Sequence, residues 1–286
     1  MPVVAKTDLV YYLYNDSRPH TGRSSPIQKG LVPGLEKSEG ELCEEGVGFG
    51  LPILQYARDF YFPGSADATR EGKVPTGTWQ KRFRYDLIER TEDKNYESIN
   101  AFSWVGRRLW NRVYKSGLGG MIMDAIGPPE LRSRHLVHVT YSRFVHVRDR
   151  GWASSTYALD TSRGVISVNV NLDDVSHDGL QKVYVSNEMG GHLFRHYLDD
   201  SGLRLSGDGI SGWSEIRARS AVLYAPSIKL GFRIDIPRGI SAFRGRETFS
   251  DHTSWSGVIL SVPPSVNIVE YKVRFDSLRE LAGHIE

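Results

Sequence analysis

A chain of 286 residues buries about three quarters of the surface its unfolded form exposes, so it needs neither disulfides nor a structural metal to stay folded. Hydrophobic residues make up 40% of it and charged residues 24%, which is a globular balance and excludes disorder as the default. Lys and Arg total 36 against 34 Asp and Glu, a formal charge of +2, which argues against a nucleic-acid partner.

The N-terminus, Met1-Pro2-Val3-Val4-Ala5-Lys6, has no apolar run behind a basic region and does not read as a secretory signal. No stretch approaches the roughly 20 apolar residues that span a bilayer. The expectation is a soluble, cytoplasmic protein with no membrane partner. A weak strand is expected at 9–14, and Asn15 to Gly50, rich in Ser, Pro and Gly, reads as a long irregular segment. Its Cys43 is the only cysteine, so no intrachain disulfide can form. Glu41, Glu44 and Glu45 surround it with negative charge that disfavours a thiolate, so an idle buried thiol is expected. Gly46-Val47-Gly48-Phe49-Gly50 precedes Pro52 and an apolar run rather than a helix, which makes it a tight turn entering a strand and not a phosphate loop.

Further weak strands are expected at 52–62 and 79–90, with a second irregular segment from Pro63 to Thr78. The basic runs Lys81-Arg82-Phe83-Arg84 and Arg107-Arg108 read as solvated strand edges, and glycines at 117, 119 and 120 interrupt any helix between Asn111 and Met123. From Val137 to Val147 the apolar residues Val137, Val139, Tyr141, Val145 and Val147 share one face, the period-two pattern of a half-buried strand. The same alternation runs through Ile166, Val168, Val170 and Leu172, then Ile228 to Ile236, and Val269 to Phe275, with weaker strands at 216–224 and 258–262. At the end of the chain Ser277 and Glu280 form a capping box, and Leu278, Leu281 and Ile285 share a helical face. Polar-out alternation implies antiparallel sheets with one covered face. The expected fold is therefore all-β: a single domain over 1–286, built as a large antiparallel β-sandwich of two stacked sheets with a short C-terminal helix.

Among residues that could carry chemistry, Glu188, His192 and His196 are spaced four apart. On a helix they would share a stripe about 6 Å apart, but Gly190 and Gly191 break the helix, so no metal is expected there. His138 lies on the polar side of its strand, about 26 Å from His146 in an unbroken strand, so the two cannot act as a pair. No Ser occupies a Gly-x-Ser-x-Gly elbow, and the adjacent carboxylates Asp173-Asp174 and Asp199-Asp200 read as turn residues. The 6 Trp, 14 Tyr and 11 Phe are more informative, because flat sugar C–H faces stack on aromatic rings. Trp152, Trp213 and Trp255 lie among Ser, Gly and charged residues, as at loops or strand ends.

The stretch Val183-Tyr184-Val185-Ser186-Asn187-Glu188-Met189-Gly190-Gly191, then Tyr197, then Gly212-Trp213-Ser214-Glu215-Ile216, resembles in texture the galactose-mutarotase-like supersandwich. That resemblance implies a fold of long antiparallel strands and an association with carbohydrate chemistry; no family residue is carried over from it. The leading expectation is a carbohydrate-binding or carbohydrate-acting protein, epimerase- or lyase-like, with a sugar or glycan ligand and no cofactor. A non-catalytic assembly protein and a metal-dependent hydrolase are the alternatives. The expected catalytic residues are His138, Glu188, His192 and Glu270, with Arg84, Trp213 and Glu215 binding substrate.

Overall fold

The computed structural model describes residues 3–6, 9, 11–13, 28–35, 40–43, 46–73, 76–94, 139–160, 162–250 and 253–285. Most of them are antiparallel strand. A small sheet joins β1 (Val3–Lys6), β2 (Tyr11–Leu13), β3 (Val32–Leu35) and β4 (Gly40–Glu41) in chain order. The main sheet begins with β5 (Gly48–Tyr56), β6 (Asp59–Lys73), β7 (Thr76–Lys94), β8 (Val139–His146), β9 (Trp152–Asp160) and β10 (Val165–Asn171). It continues with β11 (Leu180–Gly190), β12 (His196–Asp199), β13 (Arg204–Ser206), β14 (Gly212–Ile216) and β15 (Ser220–Ala225). Last come β16 (Leu230–Asp235), β17 (Ser241–Ser250), β18 (Thr253–Val262) and β19 (Ile268–Ser277), followed by the helix α1 (Leu278–Ile285).

Where two separate sheets are expected from the sequence, one continuous antiparallel order runs β13-β12-β15-β16-β19-β10-β9-β7-β6-β5-β11-β18-β17-β14, with β8 paired to β7. The sheet folds over itself so that its two halves face each other, and the core lies between them. Phe49 of β5 meets Phe232 of β16 and Phe275 of β19 edge-on, with ring centroids 5.5 and 5.8 Å apart. Three tyrosines crossing this interior find partners, as buried hydroxyls must. Tyr271 donates to Asn187 Oδ1 at 2.6 Å, Tyr157 to the Phe49 carbonyl at 2.9 Å, and Tyr85 to the Pro52 carbonyl at 2.7 Å. Gly50 lies where Tyr157 and Val168 would sit 3.0–3.1 Å from any Cβ, and its φ of +71° is one that glycine adopts without strain.

The alternating strands bury the residues that periodicity assigns to the core: Ile166, Val168, Val170, Leu230, Phe232, Ile234, Tyr271 and Val273 are all buried. The described residues of the segment from Pro63 to Thr78 are not irregular. They form most of the β6–β7 hairpin, paired from Tyr61↔Ile88 to Lys73↔Thr76 with register shifts around Pro63. Their sequence of small and charged residues carries no apolar alternation, so pairing with β7 rather than local pattern makes them a strand. The capping box forms as expected, with the Ser277 amide donating to Glu280 Oε2 at 2.7 Å. No described helix is long and apolar enough to cross a membrane.

Candidate functional site

Asn187 points into the core, where it accepts from Tyr271 and from the Gly50 amide. By the two-residue alternation of a strand, Ser186, Glu188 and Gly190 of β11 therefore face away from the core, where all three are nonetheless buried. Pairing carries that face across four strands: Glu188 lies opposite Gly257 of β18, Gly257 opposite Gly245 of β17, and Gly245 opposite Trp213 of β14. The next row is Gly190, Trp255 and Glu247.

The two central glycines shape this surface. A Cβ on Gly245 would lie 2.5 Å from the Trp213 ring, so the indole rests directly on the glycine backbone. A Cβ on Gly257 would lie 3.0 Å from Glu188 Cγ. The Trp213 ring is held in place by its Nε1, which donates to Glu247 Oε1 at 2.7 Å. An aromatic platform is thus bracketed by two glutamates.

Glu188 is only 9% exposed despite facing outward. Its carboxyl is pushed up to about 7: burial is the main cause and the Glu247 carboxylate adds to it, while the Ser186 hydroxyl, donating at 2.7 Å, and the Val47 amide partly offset them. A carboxyl of that kind holds a proton for roughly half the time at neutral pH and can give or take one there.

His192 belongs to the same face. A Cβ on Gly190 would lie 2.9 Å from His192 Cε1, which places the imidazole one strand position, about 7 Å, beyond Glu188. Glu215 is exposed two residues beyond Trp213 on the outward side of β14, opposite Phe243. The fold therefore brings Glu188, His192, Trp213 and Glu215 to one side of one half-sandwich.

Glu270 and Arg84 stand elsewhere. Glu270 is on β19 in the other half, exposed, accepting from Asn169 Nδ2 at 2.6 Å. Arg84 on β7 is exposed and donates to Asp149 at 2.7 Å. His138 lies outside the described residues. His196 opens β12 and stacks on Tyr224, with centroids 5.0 Å apart. No three His, Cys, Asp or Glu side chains among the described residues are arranged to hold a metal ion.

Glu247 and Ser186 are members of this face that sequence reasoning misses. β17 alternates Arg244 and Arg246 with Phe243, Gly245 and Glu247, so charges occur on both faces and the hydropathy signal cancels. The inward Arg246 is nonetheless buried, donating to the Gly191 carbonyl at 2.8 Å.

The class defined by this geometry is an antiparallel β-sandwich with an aromatic and acidic outer face. No family model and no curated protein matches the chain. Among solved structures, it is similar to an alpha-N-acetylgalactosaminidase, NagBb, from Bifidobacterium bifidum in complex with GalNAc, with a TM-score of 0.48 and 6% identity over 96% of this chain and 35% of that one. It is also similar to an alpha-mannosidase from Enterococcus faecalis V583, with a TM-score of 0.47 and 8% identity over 98% of this chain and 30% of that one. A protein in the glycosyl hydrolase family 38 from Enterococcus faecalis aligns with a TM-score of 0.41 and 8% identity, over 95% and 30%. The chain spans about a third of the length of these proteins.

Proposed function

We propose that the outer face of β11, β18, β17 and β14 binds carbohydrate. The observation that carries this reading is the Trp213 indole, seated on Gly245 and fixed by Glu247 beside the protonatable Glu188. A flat apolar ring flanked by carboxyl groups matches a pyranose, which offers one face of C–H bonds and a rim of hydroxyl donors. Preorganisation supports it as well, because a ring already held in place loses little freedom on binding. The resemblance of the 183–216 region to the galactose-mutarotase-like supersandwich belongs with this proposal. Within it, Glu188 is the proton-handling group of an epimerase- or lyase-like reaction, and His192 is the second polar group within one strand position.

Saturation-transfer NMR of the protein with a panel of neutral mono- and trisaccharides tests the reading. Saturation should reach the sugar ring protons and vanish in Trp213→Ala, while Glu188→Gln keeps the binding and loses any turnover. Absence of transfer to every sugar, or transfer unchanged in Trp213→Ala, overturns it.

A further inference from the structure

Beyond Glu215 the outer face of β14 runs into a rim of arginines. Two connections cross between the sandwich halves there: residues 217–219 lead from β14 to β15, and 236–240 lead from β16 to β17. The Ile236 amide ties them together, donating to the Arg219 carbonyl at 2.8 Å. Between them lies a cleft of about 430 Å³ lined by Arg217, Arg219 and Arg238. It shares Glu215 and Arg217 with a second cleft of about 500 Å³, which Arg244 and Asp199 also line.

The cations here are not consumed by the fold. The side chains of Arg217, Arg219 and Arg238 are exposed and form no ion pair among the described residues. Arg244 differs from them: on the inner face of β17 with Arg246, it lies over the Tyr197 ring at 4.9 Å and donates one Nη to the Glu215 carbonyl at 3.0 Å. Of the carboxylates, Asp199 is already engaged: it accepts from the Tyr197 and Ser201 hydroxyls and from the Ser201 and Leu203 amides. Asp200 accepts from the Arg219 amide at 2.9 Å. Glu215 is the other acidic group lining the clefts. Arg217, Arg219 and Arg238 thus line one cleft in which, among the described residues, Glu215 is the only lining carboxylate. Guanidinium groups bind carboxylate, sulfate and phosphate through paired, charge-assisted hydrogen bonds.

About 13 Å of extended chain separates Trp213 from Arg217 in this rim, a span suited to a short oligosaccharide rather than to one ring. Resting on the carbohydrate reading of the adjoining face, we propose that the cleft of Arg217, Arg219 and Arg238 receives the acidic substituents of the bound saccharide. The ligand class is then an acidic oligosaccharide, with a neutral ring face on Trp213 and an anionic group at Arg217, Arg219 and Arg238.

The test titrates the full chain with four probes: trigalacturonate, a sulfated galactotriose, neutral galactotriose, and sodium phosphate alone, each at low and high salt. At low salt an acidic trisaccharide should bind at least about tenfold more tightly than the neutral one, and added salt should erase the difference. The double variant Arg217→Gln/Arg238→Gln should remove the preference and leave neutral binding unchanged, and the tighter of the two acidic probes identifies the anion. Equal binding of acidic and neutral trisaccharides, insensitive to the double variant, overturns the inference and leaves the carbohydrate reading standing. If no trisaccharide binds, both readings fall, including where phosphate alone binds and is lost in the double variant.

Discussion

Glu188→Gln isolates the energetic cost of the outward-facing carboxyl. In the fold this group takes up its proton near pH 7 rather than at the ordinary 4.5, which makes its ionised form about 3 kcal/mol costlier in the native state than in the unfolded chain. Below about pH 4.5 both states are protonated and the contribution to stability is fully present. As pH rises, the unfolded chain releases its proton first, so native stability falls until the native group also ionises, and above about pH 7 the loss is complete. Glutamine never ionises and keeps one acceptor oxygen for the Ser186 and Val47 donors. The stability of Glu188→Gln relative to the parent should therefore climb by about 2–3 kcal/mol between pH 5 and pH 8.5. Urea unfolding midpoints of both proteins across that range, read at common slope, give the difference directly, since every other titration is shared. A difference constant with pH would mean that Glu188 is hydrated in solution, and the proton-handling role would fall with it.

Phe232→Ala should destabilise the protein by about 3–5 kcal/mol in denaturant unfolding, because the ring is fully buried against Phe49, Phe194 and Phe275 and leaves a cavity. Asn187→Ala should cost about 1–3 kcal/mol, since it strips the buried Tyr271 hydroxyl of its acceptor; the double variant with Tyr271→Phe should recover part of that loss in the same assay. Gly245→Ala, whose new methyl falls 2.5 Å from the Trp213 ring, should lift the indole off the sheet. Its fluorescence should move toward that of exposed tryptophan while far-ultraviolet circular dichroism stays unchanged. A spectrum identical to the parent would refute the seating of Trp213 on Gly245.

Strands with clean alternation were legible from sequence because each lies between a core and a polar surface, so its own residues report both faces. Ile166 to Leu172 and Val269 to Phe275 are of this kind, and they pair with each other. The C-terminal helix was legible for a local reason too, since Ser277 and Glu280 cap it within one turn. Periodicity alone does not mark β6, β9, β11 and β17 as strands. In β11 both faces are buried, with Ser186 and Asn187 each at 0% exposure, so polarity does not alternate along it. Chemistry divides the same way. Composition and residue type single out Trp213, Glu188 and His192, but pairing across β11, β18, β17 and β14 alone decides that they share a face, that Glu247 fixes the indole, and that Glu270 and Arg84 stand apart. Gly257 and Gly245 show why: each looks like a turn residue in the chain, and its missing side chain acquires a purpose only when a neighbouring strand lays a glutamate or an indole across it.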